Sequence, residues 1–240
     1  MEMTRLDKLI AGTGLYSRRE VKQLIKEGRV LVEGKLPRSA EEKYDAETVC
    51  VEVDGEVLRF RRFVYVMLHK PAGVLSATED KRAETVLDLL PEHLQKLELF
   101  PVGRLDKDTE GLLLLTNDGD LAHRLLSPKH HVDKVYYARV EGTLRREYCE
   151  AFAKGLTLGD GLECMPAKLE ILTPQEALVT VQEGKFHQVK RMLAACDAPV
   201  IYLKRLSMGP LALDESLEKG FWRELSAEEE RVLLQAVGRN

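Results

Sequence analysis

Four consecutive leucines, Leu112-Leu113-Leu114-Leu115, stand directly behind a glycine-bounded turn, Gly103-Arg104-Leu105-Asp106-Lys107-Asp108-Thr109-Glu110-Gly111. An apolar run that short, flanked by turn residues, fits a strand buried on both faces, although periodicity by itself leaves a buried helix segment open. The turn sets a carboxylate at the mouth of this run. A charge there is costly to desolvate unless it meets a cation or a ligand. Asp106 is therefore either a functional carboxylate or half of a structural ion pair, and spacing alone does not separate the two.

The surrounding chain is long enough, at 240 residues, for one large domain with a small one beside it. Its 44% hydrophobic and 32% charged residues describe an ordinary soluble protein with material for a core. A formal charge of −4 does not advertise nucleic-acid binding, so any RNA contact requires basic residues clustered locally. Cys50, Cys149, Cys164 and Cys196 lie far apart without a Cys-x-x-Cys pair, which suggests neither a zinc site nor a disulfide framework. Each is expected to be a small core residue in a reducing compartment. No apolar run reaches the ~18 residues of a membrane helix, and the N-terminus lacks a signal peptide's basic and apolar regions. A cytoplasmic location away from membranes is expected.

Residues 4–14 predict a short helix with Leu6, Leu9 and Ile10 on one face. Ser17 and Glu20 have capping-box spacing ahead of a helix that buries Val21, Leu24 and Ile25 and is closed by Gly28. The other side of this helix carries Arg18, Lys22 and Lys26 at four-residue intervals, with Arg19 beside them. Residues 1–40 hold nine Lys/Arg against five Asp/Glu, a local basic excess in an acidic chain. Strands are expected at 30–32 and 49–53, with a hairpin turn at Asp54-Gly55. Arg59-Phe60-Arg61-Arg62 reads as a linker, 59–62, dividing a domain of residues 1–58 from one of residues 63–240.

Further strands are expected at 63–68, 134–140, 167–172, 178–182 and 200–206. Pro71 and Gly73 force a turn, Thr85 is placed to cap a short helix through Leu90, and Asn117-Asp118-Gly119 opens a helix with Leu121, Leu125 and Leu126 inward. Helices are also expected at 144–154, from Lys185 through Ala195, and after Ser226-Ala227-Glu228-Glu229, again with capping-box spacing. Many strands with intermittent helices indicate the α+β class, with a mixed, largely antiparallel sheet.

Residue identity narrows the choice. Gly103-Arg104-Leu105-Asp106 followed by Thr109-Glu110-Gly111-Leu112-Leu113 resembles the catalytic motif of pseudouridine synthases, most nearly the RsuA-like, ribosomal small-subunit type. The Lys70-Pro71 turn, Lys134-x-Tyr136 and Gly184-Lys185-Phe186-His187-Gln188-Val189-Lys190-Arg191 match further segments of that family. Arg5-Leu6-Asp7-Lys8, Ser17-Arg18-Arg19, Ile25, Gly28, Val30, Val32 and Gly34 resemble the S-four-type RNA-binding module, over roughly residues 3–50.

The resemblance implies a mixed sheet cleft down its centre by the active site, with Asp106 as the one catalytic carboxylate. Isomerising uridine breaks the N1–C1′ bond and rejoins the base through C5, without metal, redox cofactor or nucleotide. A carboxylate suffices to start that chemistry, provided it is ionised while screened from water, which needs a cation nearby. Lys190 is the candidate cation and Arg191 the alternative. Tyr136 would stack on a uracil extruded from its helix. Arg104 would fill the gap left in the RNA stack, or else pair with Asp106 or Asp108. Arg5, Lys8, Arg18, Arg19, Lys22, Lys26 and Arg191 would contact RNA, mainly at phosphates.

The implied partner is rRNA, with 16S favoured over 23S, as free RNA or within an assembling small subunit, acted on by a monomer. Whether the carboxylate attacks the sugar or the ring stays open. A non-catalytic RNA-binding or ribosome-assembly protein is the competing class. Asp106-Lys107-Asp108 also has the Asp-x-Asp form of metal-dependent sugar transferases, but no His or Cys set with ligand spacing joins it. His130, His131 and His187 are expected as polar residues at the site's edge.

Overall fold

The computed structural model describes residues 3–46, 48–58, 60 and 63–239; Arg59, Arg61 and Arg62 of the expected linker lie outside the described residues. Two compact units emerge, Met1–Val64 with Leu90–Leu99, and Tyr65–Leu89 with Phe100–Asn240.

In the first unit, β1 (Met3–Arg5) leads into α1 (Leu6–Ala11), followed by α2 (Arg18–Lys26), β2 (Val30–Val32), β3 (Lys43–Asp45), β4 (Val51–Val53) and β5 (Glu56–Leu58). The first helix starts later than its apolar spacing indicates, because Met3–Arg5 pairs antiparallel with β3. Ser17 and Glu20 form the expected reciprocal cap: the Glu20 N–H donates to Ser17 Oγ at 3.3 Å and the Ser17 N–H to Glu20 Oε2 at 2.6 Å. Leu6, Ile10, Val21 and Leu24 of the helices then close over Val30, Val32, Val51 and Val53 of the antiparallel β2-β4-β5 sheet. The short α3 (Glu92–Gln95) belongs to this unit. Gly14 has φ +75°, and a Cβ there would stand 2.0 Å from the His93 carbonyl oxygen, so this approach requires glycine.

The second unit contains β6 (Tyr65–Lys70), β7 (Phe100–Pro101), β8 (Glu110–Thr116), α4 (Gly119–Leu126), β9 (Lys134–Val140), α5 (Arg146–Lys154), β10 (Lys168–Thr173), β11 (Glu176–Val181), α6 (Gln188–Ala194), β12 (Val200–Met208), β13 (Leu211–Ala212), β14 (Trp222–Glu224) and α7 (Ala227–Ala236). Among the described residues its sheet has nine strands, in the order β10-β11-β9-β12-β8-β6-β14, with β13 on β12 and β7 on β8. Among these strands only β12 and β8 run parallel; their pairing is short, Lys204 opposite Glu110 and Arg205 opposite Gly111. The sheet is thus mixed and largely antiparallel, as expected. The four leucines lie in β8, whose seven residues are all buried, so the strand alternative for that run is the one adopted.

Three further expectations are corrected. Residues 85–90 form turns and no helix, because the Asp88 carboxylate accepts both the Thr85 N–H (2.7 Å) and hydroxyl (2.9 Å) while Thr85 bridges Leu75. Leu126 does not point inward with Leu121 and Leu125; it is the last residue of α4 and is exposed. The helix expected from Lys185 begins at Gln188, since His187 adopts a left-handed conformation with φ 49°. Among the described residues no helix is long and apolar enough to cross a membrane.

Candidate active site

Asp106 opens the turn that feeds β8, and the Thr109 N–H closes the turn by donating to the Asp106 carbonyl at 3.0 Å. The strand behind it is fixed by a close backbone crossing. Gly111 has φ +107°, and a Cβ there would lie 2.2 Å from the Arg205 carbonyl oxygen on β12. Any side chain at this position would push β8 off its parallel neighbour and move the turn with it.

The turn is held from the other side by Lys70, the last residue of β6, which is fully buried at 0% exposure. Its ammonium donates to the carbonyls of Pro71 (2.9 Å), Asp106 (3.1 Å), Lys107 (3.3 Å) and Thr109 (2.9 Å). Ser76 exchanges hydrogen bonds with Leu105: its hydroxyl donates to the carbonyl at 2.9 Å and accepts the N–H at 3.1 Å. Burial pushes the Lys70 ammonium down to about 8, against the nearby carboxylates of Asp108 and Asp106. A buried charge of this kind is tolerated because four carbonyl dipoles surround it. Neither Lys70 nor Ser76 was among the expected site residues, although the Lys70-Pro71 turn marked the segment.

Lys190 projects from α6 and sets Nζ 2.9 Å from Asp106 Oδ2 and 2.5 Å from Asp108 Oδ1. The Asp-x-Asp pair therefore converges on an ammonium. His187, immediately before α6, places Nε2 3.4 Å from Asp106 Oδ1. Arg191 is turned away by its place on the helix and lies 2.5 Å from Asp160. Of the two candidate cations, only Lys190 reaches Asp106.

Asp106, Lys190 and His187 line an open cleft together with Arg104, Tyr136, Glu183 and Gln188. Leu105, Val181, Val189 and Leu203 supply its apolar lining. The Asp106 side chain is 24% exposed there, within reach of a ligand yet largely withdrawn from solvent. Tyr136 sits on β9 between Val179 of β11 and Arg205 of β12. Tyr137, on the other face, donates to Glu176 at 2.6 Å and meets Tyr202 edge-on. Lys134, two residues before Tyr136, is buried and donates to the Val132 carbonyl; desolvation brings its ammonium to about 8. Arg104 is exposed at the cleft and carries no ion pair among the described residues, so the alternative pairing with Asp106 or Asp108 is not made.

The remaining expected RNA contacts lie in the first unit. Lys8, Arg18, Arg19, Lys22 and Lys26 are exposed, whereas Arg5 is half-buried and paired with Asp7 at 2.8 Å and Glu41 at 3.1 Å. His130 and His131 do not line the cleft among the described residues; His131 Nδ1 lies 3.1 Å from Gln182 Oε1.

A carboxylate beside an ammonium, a flat aromatic ring and apolar walls can receive a planar base and act on the atom brought against the acid. Comparison with known proteins agrees in kind. Residues 64–195 match the RNA pseudouridylate synthase family and residues 4–49 match the S4 domain. An uncharacterized RNA pseudouridine synthase of Bacillus subtilis (strain 168) is 49% identical, over 95% of this chain and 98% of its own. The ribosomal small subunit pseudouridine synthase A of Vibrio cholerae is 42% identical over 94% of this chain and 97% of its own. Its namesake in Pseudomonas aeruginosa is 43% identical over 94% and 98%. A pseudouridylate synthase of known crystal structure superposes with a TM-score of 0.68 at 37% identity, covering 95% of this chain and 99% of that one. With a family match across more than half the sequence and relatives aligned along nearly its full length, the chain belongs to the RNA pseudouridylate synthase family.

Proposed function

We propose that this protein isomerises a specific uridine of small-subunit (16S) rRNA to pseudouridine, with Asp106 as the catalytic carboxylate acting on a uridine flipped out of its helix. The observation that carries the reading is the Lys190–Asp106 pair, 2.9 Å apart in a cleft that also presents Tyr136. The N1–C1′ bond breaks, the freed uracil turns within the cleft and C5 bonds to C1′. The C5 proton departs and N1 gains one, so nothing is consumed. Attack on the sugar and attack on the ring both begin from this carboxylate.

Extruding the uridine costs a few kcal/mol of stacking, and stacking on Tyr136 returns roughly 1–3 kcal/mol. Lys190 keeps a positive charge against the acid, and Arg104, exposed at the cleft, takes the place the base leaves. The exposed basic face of α2 supplies phosphate contacts that orient the RNA, with residues 1–58 as an RNA-binding module and 63–240 as the catalytic domain. The choice of small-subunit rRNA is supported by relatives of that name at 42% and 43% identity. Mapping pseudouridines in the rRNA of a strain lacking this gene tests the proposal. One small-subunit position should revert to uridine; an unchanged map refutes it.

A further inference from the structure

Phe186 is 75% exposed, more than any other large hydrophobic residue among those described. Single exposed apolar residues are ordinary, but this one is held in place. The loop beneath it is built on the buried pair Glu183 and Gln188. Glu183 Oε1 accepts from the Met165 N–H at 2.8 Å and from Gln188 Nε2 at 2.7 Å, while Gln188 Oε1 accepts the Lys185 N–H at 3.0 Å. Lys185 Nζ adds an ion pair to Glu183 at 3.0 Å. The loop tip therefore presents Phe186 outward from a rigid base.

The ring lies face to face with His187, centroids 3.8 Å apart and planes 18° from parallel. His187 adopts a left-handed backbone, uncommon outside glycine, and its Nε2 is 3.4 Å from Asp106 Oδ1. One face of the phenyl ring is thus covered by an imidazole that itself touches the acid. Lys185 and Lys190 flank the pair in sequence. Both ammonium groups are engaged within the protein, Lys185 with Glu183 and Lys190 with Asp106 and Asp108, so what the rim of the cleft offers a nucleobase is the open π-face of the ring.

We propose that Phe186, backed by His187, is a positioning residue that stacks on the substrate-RNA base neighbouring the flipped uridine. This rests on the uridine-flipping reading above. It assigns the second base contact to the loop before α6, separate from Tyr136 on β9.

The test compares wild type with Phe186→Ala, Phe186→Leu and Phe186→Tyr on a small-subunit rRNA transcript, in single-turnover pseudouridine formation. Loss of one stacked base should lower kcat/KM by roughly 5- to 150-fold in both the Ala and Leu variants. Phe186→Tyr should stay within about threefold of wild type, because the aromatic face is kept. Leu as active as Phe, or all four proteins equal, overturns the proposal.

A second arm reads binding alone. In a Phe186→Trp, Asp106→Asn protein, adding the transcript should quench tryptophan emission beyond that of an Asp106→Asn protein carrying only Trp222, the one native tryptophan. No added quenching overturns the stacking. An unchanged rRNA map in the deletion strain would sink the proposed function by itself, and the quenching still decides whether Phe186 meets RNA.

Discussion

Lys190 sets its ammonium 2.9 Å from Asp106 and shares it with Asp108 at 2.5 Å, so one cation on α6 ties down both acids of the turn before β8. Partial burial works against the ammonium, but hydrogen bonds and charge from Asp108 and Asp106 outweigh it and raise Lys190 above the ordinary lysine range. The same contact holds Asp108 below the usual carboxylate range. Charged partners at this distance form strong hydrogen bonds.

Removing that cation should damage turnover far more than removing its neighbour. Lys190→Met should lower kcat by about 10²–10³-fold, the size of effect seen when a charge-stabilising donor is removed. Arg191 pairs with Asp160 instead, so Arg191→Met should leave the single-turnover rate within about threefold and act on RNA affinity. Equal losses of rate in the two variants would contradict the assignment.

Lys70 gives a stability signature at alkaline pH. Its ammonium is brought down to about 8 in the folded protein from an ordinary 10.5. Below pH 8 both states are protonated and burial of the charge opposes folding in full. Between about 8 and 10.5 only the unfolded chain keeps the proton, so stability rises with pH over that window. Relative to Lys70→Met, wild type should gain about 3 kcal/mol across it. Lys134 shifts the same way but is common to both proteins. Denaturant titrations at a series of pH values measure this, and parallel curves would contradict it. At neutral pH the variant should also be a slow enzyme, because the carbonyls of Asp106, Lys107 and Thr109 in the turn lose the ammonium that ties them to Pro71, just past the end of β6.

What could be read from the chain divides along local and non-local lines. The caps at Ser17 and Ser226 were legible because their partners, Glu20 and Glu229, lie three residues away. The buried β8 was legible from four leucines and two turn signals. Tyr136, Arg104, Asp106 and Lys190 were each marked by a motif, and the structure brings these four to one cleft. Strands of two or three residues such as β1, β7 and β14 were not legible, since pairing with distant partners defines them. Thr85 looked like a helix cap but is captured by Asp88 instead. Lys70 carried no sign that it would reach across to the Asp106 turn, and nothing in the spacing announced that His187 would turn left-handed and lift Phe186 into view.

Gly111 offers a test of how the turn is anchored. Gly111→Ala places a methyl group 2.2 Å from a backbone oxygen at φ +107°. The clash has no flexible side chain to absorb it, so the variant should lose about 4 kcal/mol or more and accumulate as insoluble protein. A soluble variant with unchanged thermal midpoint would show that β8 and β12 are not locked at this crossing.

The basic face of α2 should act through salt-dependent affinity. Replacing Arg18, Lys22 and Lys26 together by Gln should weaken binding of small-subunit rRNA. The log–log salt slope should shrink by about 0.7–0.9 for each phosphate that is no longer neutralised. The single-turnover rate at saturating protein should hold. An unchanged slope would place the RNA elsewhere.

The most direct measurement of the central claim is pseudouridine formation by Asp106→Asn protein on small-subunit rRNA, with RNA binding measured in parallel. Turnover should fall below detection while the dissociation constant stays within about threefold of wild type, since the substitution removes a charge and keeps the shape. Sustained turnover by the Asn protein would contradict the claim.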